Sequence, residues 1–150
     1  LTDILLECGV VLVGLPALAN ANLNGATKKF GNGSVLLLLT DRNKASDIFW
    51  FSLFHEIGHI LQNDFSSDDG GSDSYRRSEE LADQFAKDLL ISPQDYQRFI
   101  DGACFDKQAI KKFADEIGIH PSIVLGRLQN DEYLGYDQFR DLKVNYYLVS

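Results

Sequence analysis

The chain has 150 residues, of which 45% are hydrophobic and 24% are charged, and its formal net charge is −8 at pH 7. This length and composition are typical of a single globular domain, here residues 1–150, and the absence of any apolar run of about 18 residues argues against a membrane-spanning helix. Because the negative charge repels a phosphate backbone, we expect no direct contact of this domain with nucleic acid. Two isolated cysteines that we expect to be reduced make a cytoplasmic location the default expectation.

The first forty residues predict a helix end followed by three extended segments. Residues 1–8 are typical of a helix, and the apolar run at 10–15 is typical of a buried strand. The turn sequence Gly-Asn-Gly at 31–33 favours a hairpin whose second strand covers 34–40. This second strand precedes the next helix and could lie at the sheet edge, where an extended peptide could pair with it. Its unbroken apolar run instead favours burial on both faces.

A longer helix is predicted over residues 48–63, and Ser46 or Asp47 could cap its N terminus. Nearly every face of this helix is apolar, so we expect it to lie in the core. The acidic segment 63–74 lacks the final glutamate of a calcium-binding loop, and we interpret it as a solvated linker. The two cysteines, Cys8 and Cys104, are expected to be reduced core residues.

The second half of the chain predicts further helices. One runs from Ser78 to about Ile91, with an apolar stripe made of Leu81, Ala82, Phe85, Ala86, Leu89 and Leu90. Another begins at Pro93, and amphipathic segments follow at 106–118 and 120–131. The last two segments have the outline of a helix-turn-helix, but their acidity and apolar content favour a packing role.

The helix at 48–63 contains the motif His-Glu-x-x-His, formed by His55, Glu56 and His59. Residues four apart lie on the same face of a helix, so the two imidazoles can be directed at one metal ion. Glu56 can then act as a general base without being a ligand. The alternative is a pair of buried histidines that only form hydrogen bonds, but the residue types and spacing favour a zinc site.

A third ligand is expected from the following helix. Glu79 and Asp83 lie one turn apart on the same face, so Glu79 could bind the metal ion while Asp83 accepts a hydrogen bond from a histidine. The alternative for Glu79 is an ordinary acid near a helix N terminus, where the helix dipole favours it. Glu80 is turned by about 100° and is expected in solvent.

Residues 49–61 (FWFSLFHEIGHIL) and 78–93 (SEELADQFAKDLLISP) together resemble the ImmA/IrrE family of zinc metallopeptidases. The flanking segments are similar to the branch usually fused behind a helix-turn-helix regulator. The resemblance implies an α+β fold of the minimal zincin-like (gluzincin) type, with a small twisted sheet packed on the active-site helix and additional C-terminal helices. It also implies that the chain is a fragment of a longer protein with an upstream helix-turn-helix domain, and that Zn²⁺ is the cofactor.

The activity implied by this resemblance is that of a zinc-dependent endopeptidase, which cleaves a regulatory protein such as a transcriptional repressor or an antitoxin-like partner. One alternative is a non-catalytic or metal-regulated binding module of a toxin-antitoxin or mobile-element regulator; another is a non-peptidase zinc hydrolase. His120 is a candidate catalytic donor to the developing oxyanion because the family branch has His-Pro at this place, although it could instead cap a helix. Tyr75, Arg76 and Arg77 are further candidates that we expect to be mostly solvated.

Overall fold

The computed structural model describes residues 1–17, 22–65 and 72–147. Within these ranges the chain forms an α+β structure. Its elements, in chain order, are α1 (Thr2–Glu7), β1 (Val10–Leu15), β2 (Gly25–Lys29), β3 (Val35–Thr40), α2 (Ser46–Leu61), α3 (Asp73–Leu90), α4 (Pro93–Asp101), α5 (Lys107–Ile117), α6 (Pro121–Asn130) and a short 3-10 helix (Arg140–Leu142). The middle of the predicted linker at 63–74 lies outside the described residues.

The three strands form one mixed sheet in the order β1-β3-β2. Strand β1 pairs in parallel with β3, with Val10 opposite Val35, and β2 pairs antiparallel with β3, with Gly25 opposite Leu39. The predicted hairpin between β2 and β3 is confirmed, and Gly33 in its turn has a φ of 87°, a conformation that glycine adopts without steric cost.

The interpretation that β3 lies at the sheet edge is wrong, because β3 is the central strand. Its side chains explain this position. Val35, Leu37 and Leu39 on one face are 7%, 0% and 1% exposed, and Leu36 and Leu38 on the other face are partly buried, so the apolar run is covered fully on one face and in part on the other. The two edge strands of the described sheet are β1 and β2, and β2 is shorter and more polar than β3.

Two groups of buried side chains hold the described chain together. The first joins the sheet to α2 through Val10, Val35, Leu37, Leu39 and Leu53. The second joins α5 and α6 to the end of α3, and its buried members are Ile91, Ile110, Phe113, Ala114, Val124, Leu125, Leu128 and Leu142. The apolar faces of α5 and α6 are thus used for packing, as their composition favours.

Helices α2 and α3 pack closely where two small residues meet. A Cβ atom added to Gly58 would lie 3.1 Å from the Cα atom of Ala82. Ala82 and Ala86 are both fully buried. Side chains of this size allow the two helix backbones to approach, and the polar residues beside the contact on α2 and α3 are therefore held near one another.

Several local expectations for α3 and the cysteines were wrong. Helix α3 begins at Asp73 rather than Ser78, because the Ser72 side chain caps it by accepting a hydrogen bond from the Tyr75 backbone N–H. Leu81 and Leu89 are 51% and 54% exposed, so the buried face of α3 is narrower than the predicted stripe. Cys8 and Cys104 form no disulfide, as expected, but both are exposed rather than in the core.

No helix in the described ranges combines the length and the apolar character needed to cross a bilayer.

Replacing Leu53 by Ala tests the contribution of the sheet-facing side of α2 to stability. Leu53 is 0% exposed, whereas Leu61 in the same helix is 68% exposed. We expect Leu53→Ala to lower the free energy of unfolding by about 2–5 kcal/mol through lost burial and a residual cavity. Leu61→Ala, the matched control, should change it by less than about 0.5 kcal/mol. Urea unfolding followed by circular dichroism measures both, and equal losses would contradict the described burial of α2.

Candidate metal centre

The two histidines of α2 direct the same ring nitrogen toward a common point. His55 and His59 lie one helical turn apart, and their Nε2 atoms are 3.1 Å from each other. The ring planes are inclined by 75°, with the centroids 4.7 Å apart. Both side chains are largely buried, at 15% and 11% exposure. The i, i+4 spacing thus places two nitrogen donors together in a partly desolvated site.

Glu79 on α3 supplies a carboxylate to the same point. Its Oε2 atom is 3.4 Å from Nε2 of His55, and its Oε1 atom is 3.1 Å from Nε2 of His59. One donor atom from each of the three residues can be chosen so that all lie within 4.8 Å of one another. The structure therefore brings His55, His59 and Glu79 into one cluster that could hold a metal ion.

The spacing of these donors fits a small divalent cation. Tetrahedral zinc with bonds of about 2.0–2.1 Å places its ligand atoms about 3.3 Å apart. The two Nε2 atoms are 3.1 Å apart, and each has an oxygen of Glu79 near that distance, Oε2 at 3.4 Å from His55 and Oε1 at 3.1 Å from His59. Two imidazoles and a carboxylate are also a donor set found at catalytic zinc sites, which use three protein ligands.

Asp83 orients the ring of His55. Its Oδ1 atom is 2.8 Å from Nδ1 of His55, so the carboxylate accepts a hydrogen bond from the Nδ1–H group. In the neutral ring this leaves Nε2 unprotonated and able to donate its lone pair to a metal. Burial lowers the pKa of His55, but the hydrogen bond and charge of Asp83, with the charges of Glu79 and Glu56, outweigh it and raise the pKa overall.

The second histidine has a different environment. Nδ1 of His59 lies 3.4 Å from Oγ of Ser78 and 4.0 Å from Oδ2 of Asp64. The Ser78 hydroxyl in turn donates a hydrogen bond to Asp64. Sequence analysis identified neither Ser78 nor Asp64, because a serine before a helix acid and an aspartate in a polar segment carry no motif of their own.

Glu56 lies between the cluster and the edge strand β2. Its side chain packs directly on Gly25, where an added Cβ atom would be 2.7 Å from Cγ of Glu56. Burial raises the pKa of Glu56 to about 7, although the charge of His55 and a hydrogen bond from Thr27 act to lower it. A carboxyl group with a pKa near neutrality is suited to accept and return a proton.

A cavity of about 1000 Å³ joins these residues. One wall is the segment 22–28, which includes most of β2; the opposite walls come from α2, α3 and α6. His55, Glu56, His59, Glu79 and Asp83 all line it. The cavity is far larger than a metal ion and a water molecule need, and its volume suits an organic ligand or a peptide side chain.

The remaining predicted residues occupy different places. Tyr75 lines the cavity, while Glu80, Arg76 and Arg77 are exposed on α3. The structure does not bring His120 into the cavity lining. Its Nδ1 accepts a hydrogen bond from the Ser122 backbone N–H at 3.1 Å and contacts the Ser122 hydroxyl at 2.9 Å. His120 thus caps the N terminus of α6, and an active-site role for it stays a prediction.

Comparison with known families agrees with the resemblance seen in the sequence. Residues 21–128 match the family model Peptidase M78, described as an IrrE N-terminal-like domain. This match covers most of the chain and includes α2 and α3. A search of curated proteins found no match.

Replacing Gly25 by Ala tests the contact between β2 and Glu56. The new Cβ would lie within 2.9 Å of both Cγ and Oε1 of Glu56, so we expect a loss of about 1–3 kcal/mol of unfolding free energy from overpacking. Gly31→Ala is the control, since nothing lies within 4 Å of its Cβ position. In a Glu56→Ala background, the cost of Gly25→Ala should largely disappear. Denaturant unfolding of the double-mutant cycle measures this coupling, and additive losses would contradict the contact.

The raised pKa of Glu56 predicts how stability depends on pH in the metal-free protein. A carboxyl group whose folded pKa is raised to about 7 from its ordinary value of 4.5 favours folding in its neutral form. That contribution is complete below the unfolded pKa and is lost as the pH rises through the folded pKa. Glutamine cannot ionise, so Glu56→Gln should be more stable than the wild type above about pH 8, by on the order of 1–3 kcal/mol. The difference should shrink toward about pH 5.

Urea unfolding of the chelator-treated protein across this pH range measures the effect. Glu80→Gln is the matched control, because it makes the same chemical change at an exposed position of α3. A difference between Glu56→Gln and the wild type that does not vary with pH would contradict the assignment.

Proposed function

The chain belongs to the IrrE N-terminal-like domain family of peptidases, and from this premise we propose that it is a zinc-dependent endopeptidase. We propose as its substrate a cytoplasmic regulatory protein such as a transcriptional repressor or an antitoxin-like partner. The observation that carries the proposal is the convergence of His55, His59 and Glu79, which offer one donor atom each within 4.8 Å of one another, two imidazoles and a carboxylate as at catalytic zinc sites.

The roles of the cluster residues follow from their atoms. His55 and His59 would hold the ion through Nε2, and Glu79 would hold it through its carboxylate. When bound there, zinc supplies a Lewis acid that polarises the scissile carbonyl group and acidifies a water molecule. Asp83 keeps the His55 ring in the orientation that presents Nε2 to the cluster.

Glu56 would act as the general base and then as the general acid. It lines the cavity beside the donor cluster without belonging to it. An unprotonated carboxylate oxygen of Glu56 takes a proton from the attacking water, and the same group later delivers a proton to the leaving amine. In the metal-free protein burial raises the pKa of Glu56 to about 7, and the charge of a bound cation would lower that pKa and favour the carboxylate form that takes the first proton. Gly25 leaves the space that this side chain occupies.

The edge of β2 would bind the substrate backbone. Segment 22–28 lines the cavity, and β2 is the edge strand with a side that pairs with no other described strand. An extended peptide could add to this side as a further strand, with its side chains directed alternately toward and away from the cavity. An edge strand beside the metal-binding helix also supports a minimal gluzincin fold.

Metal analysis and cleavage assays on two variants test the proposal. We expect one zinc per wild-type chain by elemental emission, and loss of that zinc in His55→Ala, which removes one of three protein ligands. Glu56→Gln should retain zinc but lose cleavage by about 10²–10⁴-fold, since it keeps the shape of the side chain and removes the base. Cleavage is followed on co-expressed candidate regulators and on a peptide library, with Glu80→Gln as the control.

The outcomes separate the proposal from its alternative. Undiminished cleavage by Glu56→Gln would show that Glu56 is not the base. A wild-type chain that binds zinc and a regulator but cleaves neither the regulator nor the library would instead favour the metal-regulated binding module.

A further inference from the structure

We propose that Ser78 and Asp64 form a hydrogen-bonded relay that positions His59 for metal binding. This inference rests on the proposed metal function of the cluster and assigns a role to two residues outside the His-Glu-x-x-His motif. Ser78 and Asp64 are positioning residues in this proposal, because they act on the metal site only through the ring of His59.

The relay is a continuous chain of polar contacts. Nδ1 of His59 lies 3.4 Å from Oγ of Ser78, and the Ser78 hydroxyl forms a hydrogen bond with Oδ2 of Asp64. Direct contact between His59 and Asp64 is longer, at 4.0 Å, so the serine bridges the two. His59 and Ser78 are each only 9% exposed, which limits competition from solvent for these hydrogen bonds.

The direction of each hydrogen bond follows from the position of the ring. Nε2 of His59 faces Glu79 and His55, so a neutral ring that uses Nε2 as a ligand must carry its proton on Nδ1. Within the described residues, this nitrogen lies beside the Ser78 hydroxyl and the Asp64 carboxylate. A hydroxyl can accept from Nδ1–H and donate to a carboxylate at the same time, and such chains strengthen each bond.

The relay also connects the two helices that supply the ligands. Asp64 lies just beyond α2, where its backbone N–H donates to the carbonyl oxygen of His59 at 3.0 Å. Ser78 directly precedes the ligand Glu79 on α3. Fixing the Ser78 hydroxyl therefore ties the end of α2 to the turn of α3 that carries the carboxylate ligand.

The two histidines are supported in different ways. His55 donates directly to Asp83, whereas His59 reaches its carboxylate through a serine hydroxyl. Without the hydroxyl, the carboxylate recorded beside Nδ1 is that of Asp64, whose Oδ2 lies 4.0 Å away, beyond hydrogen-bond distance. The other tautomer, with its proton on Nε2, then becomes more populated, and that proton blocks metal binding.

Zinc affinity of Ser78→Ala and Asp64→Asn tests the relay. We expect each variant to bind zinc about 10–100-fold more weakly than the wild type in competition with a chromophoric chelator, the usual cost of losing such a partner. The metal-free variants should stay folded, with an unfolding midpoint lowered only slightly by the lost hydrogen bond. Ser78→Thr keeps the hydroxyl and should restore most of the affinity. Ser74→Ala and Asp115→Asn, which change exposed residues, are the matched controls.

Each result decides the inference. Zinc affinities of Ser78→Ala and Asp64→Asn within about two-fold of the wild type would overturn the relay alone, as would a loss matched by an equal destabilisation of the metal-free protein. A wild-type chain that binds no zinc would overturn the metal centre and the relay together. Weaker zinc binding by both variants, with the metal-free proteins still folded and affinity restored by Ser78→Thr, supports the relay.

Discussion

The close packing of α2 on α3 at Gly58 and Ala82 is the constraint on which the candidate site depends. A Cβ atom added to Gly58 would lie only 3.1 Å from the Cα atom of Ala82 on the facing helix. This approach brings Glu79 within 3.4 Å of both histidine Nε2 atoms. A larger residue at either position would move the helices apart. Since ligand positions in a metal site must be accurate to within about 0.5 Å, that displacement would separate the carboxylate from the histidines.

The same packing concentrates acidic groups in one cavity. Glu56, Glu79 and Asp83 line it together with Asp64, and Glu79 adds to the raised pKa of Glu56 by like-charge repulsion. Gathering carboxylates in a partly buried space is unfavourable unless positive charge compensates them. Neutral histidines contribute no charge, and a divalent cation held by the cluster would offset two of these negative charges. The charge distribution and the donor spacing therefore lead to the same hypothesis by independent physical arguments.

Patterns within a single helix were the most predictable part of the site. His55 and His59, and likewise Glu79 and Asp83, are four residues apart, and helix geometry alone places each pair on one face. The hairpin was also predictable, because its turn residues tolerate positive φ. The position of β3 was harder to predict, since an apolar strand that precedes α2 could be a central strand or an edge strand until its neighbours were known. The start of α3 at Asp73 depends on capping by Ser72. It was missed because the predicted helix was drawn from its apolar stripe, which begins later in the chain.

The sequence by itself determined the donor types, their spacing along each helix and the family to which they belong, because these depend on local periodicity and on residue chemistry. Only the tertiary structure decided that β2 forms the cavity edge, that Gly25 gives Glu56 its space, and that Ser78 and Asp64 reach His59. Each of these contacts joins two different elements of the fold or two segments that are far apart in the sequence. Their distances are set by how the helices and the sheet pack, and no local pattern of residues encodes that packing.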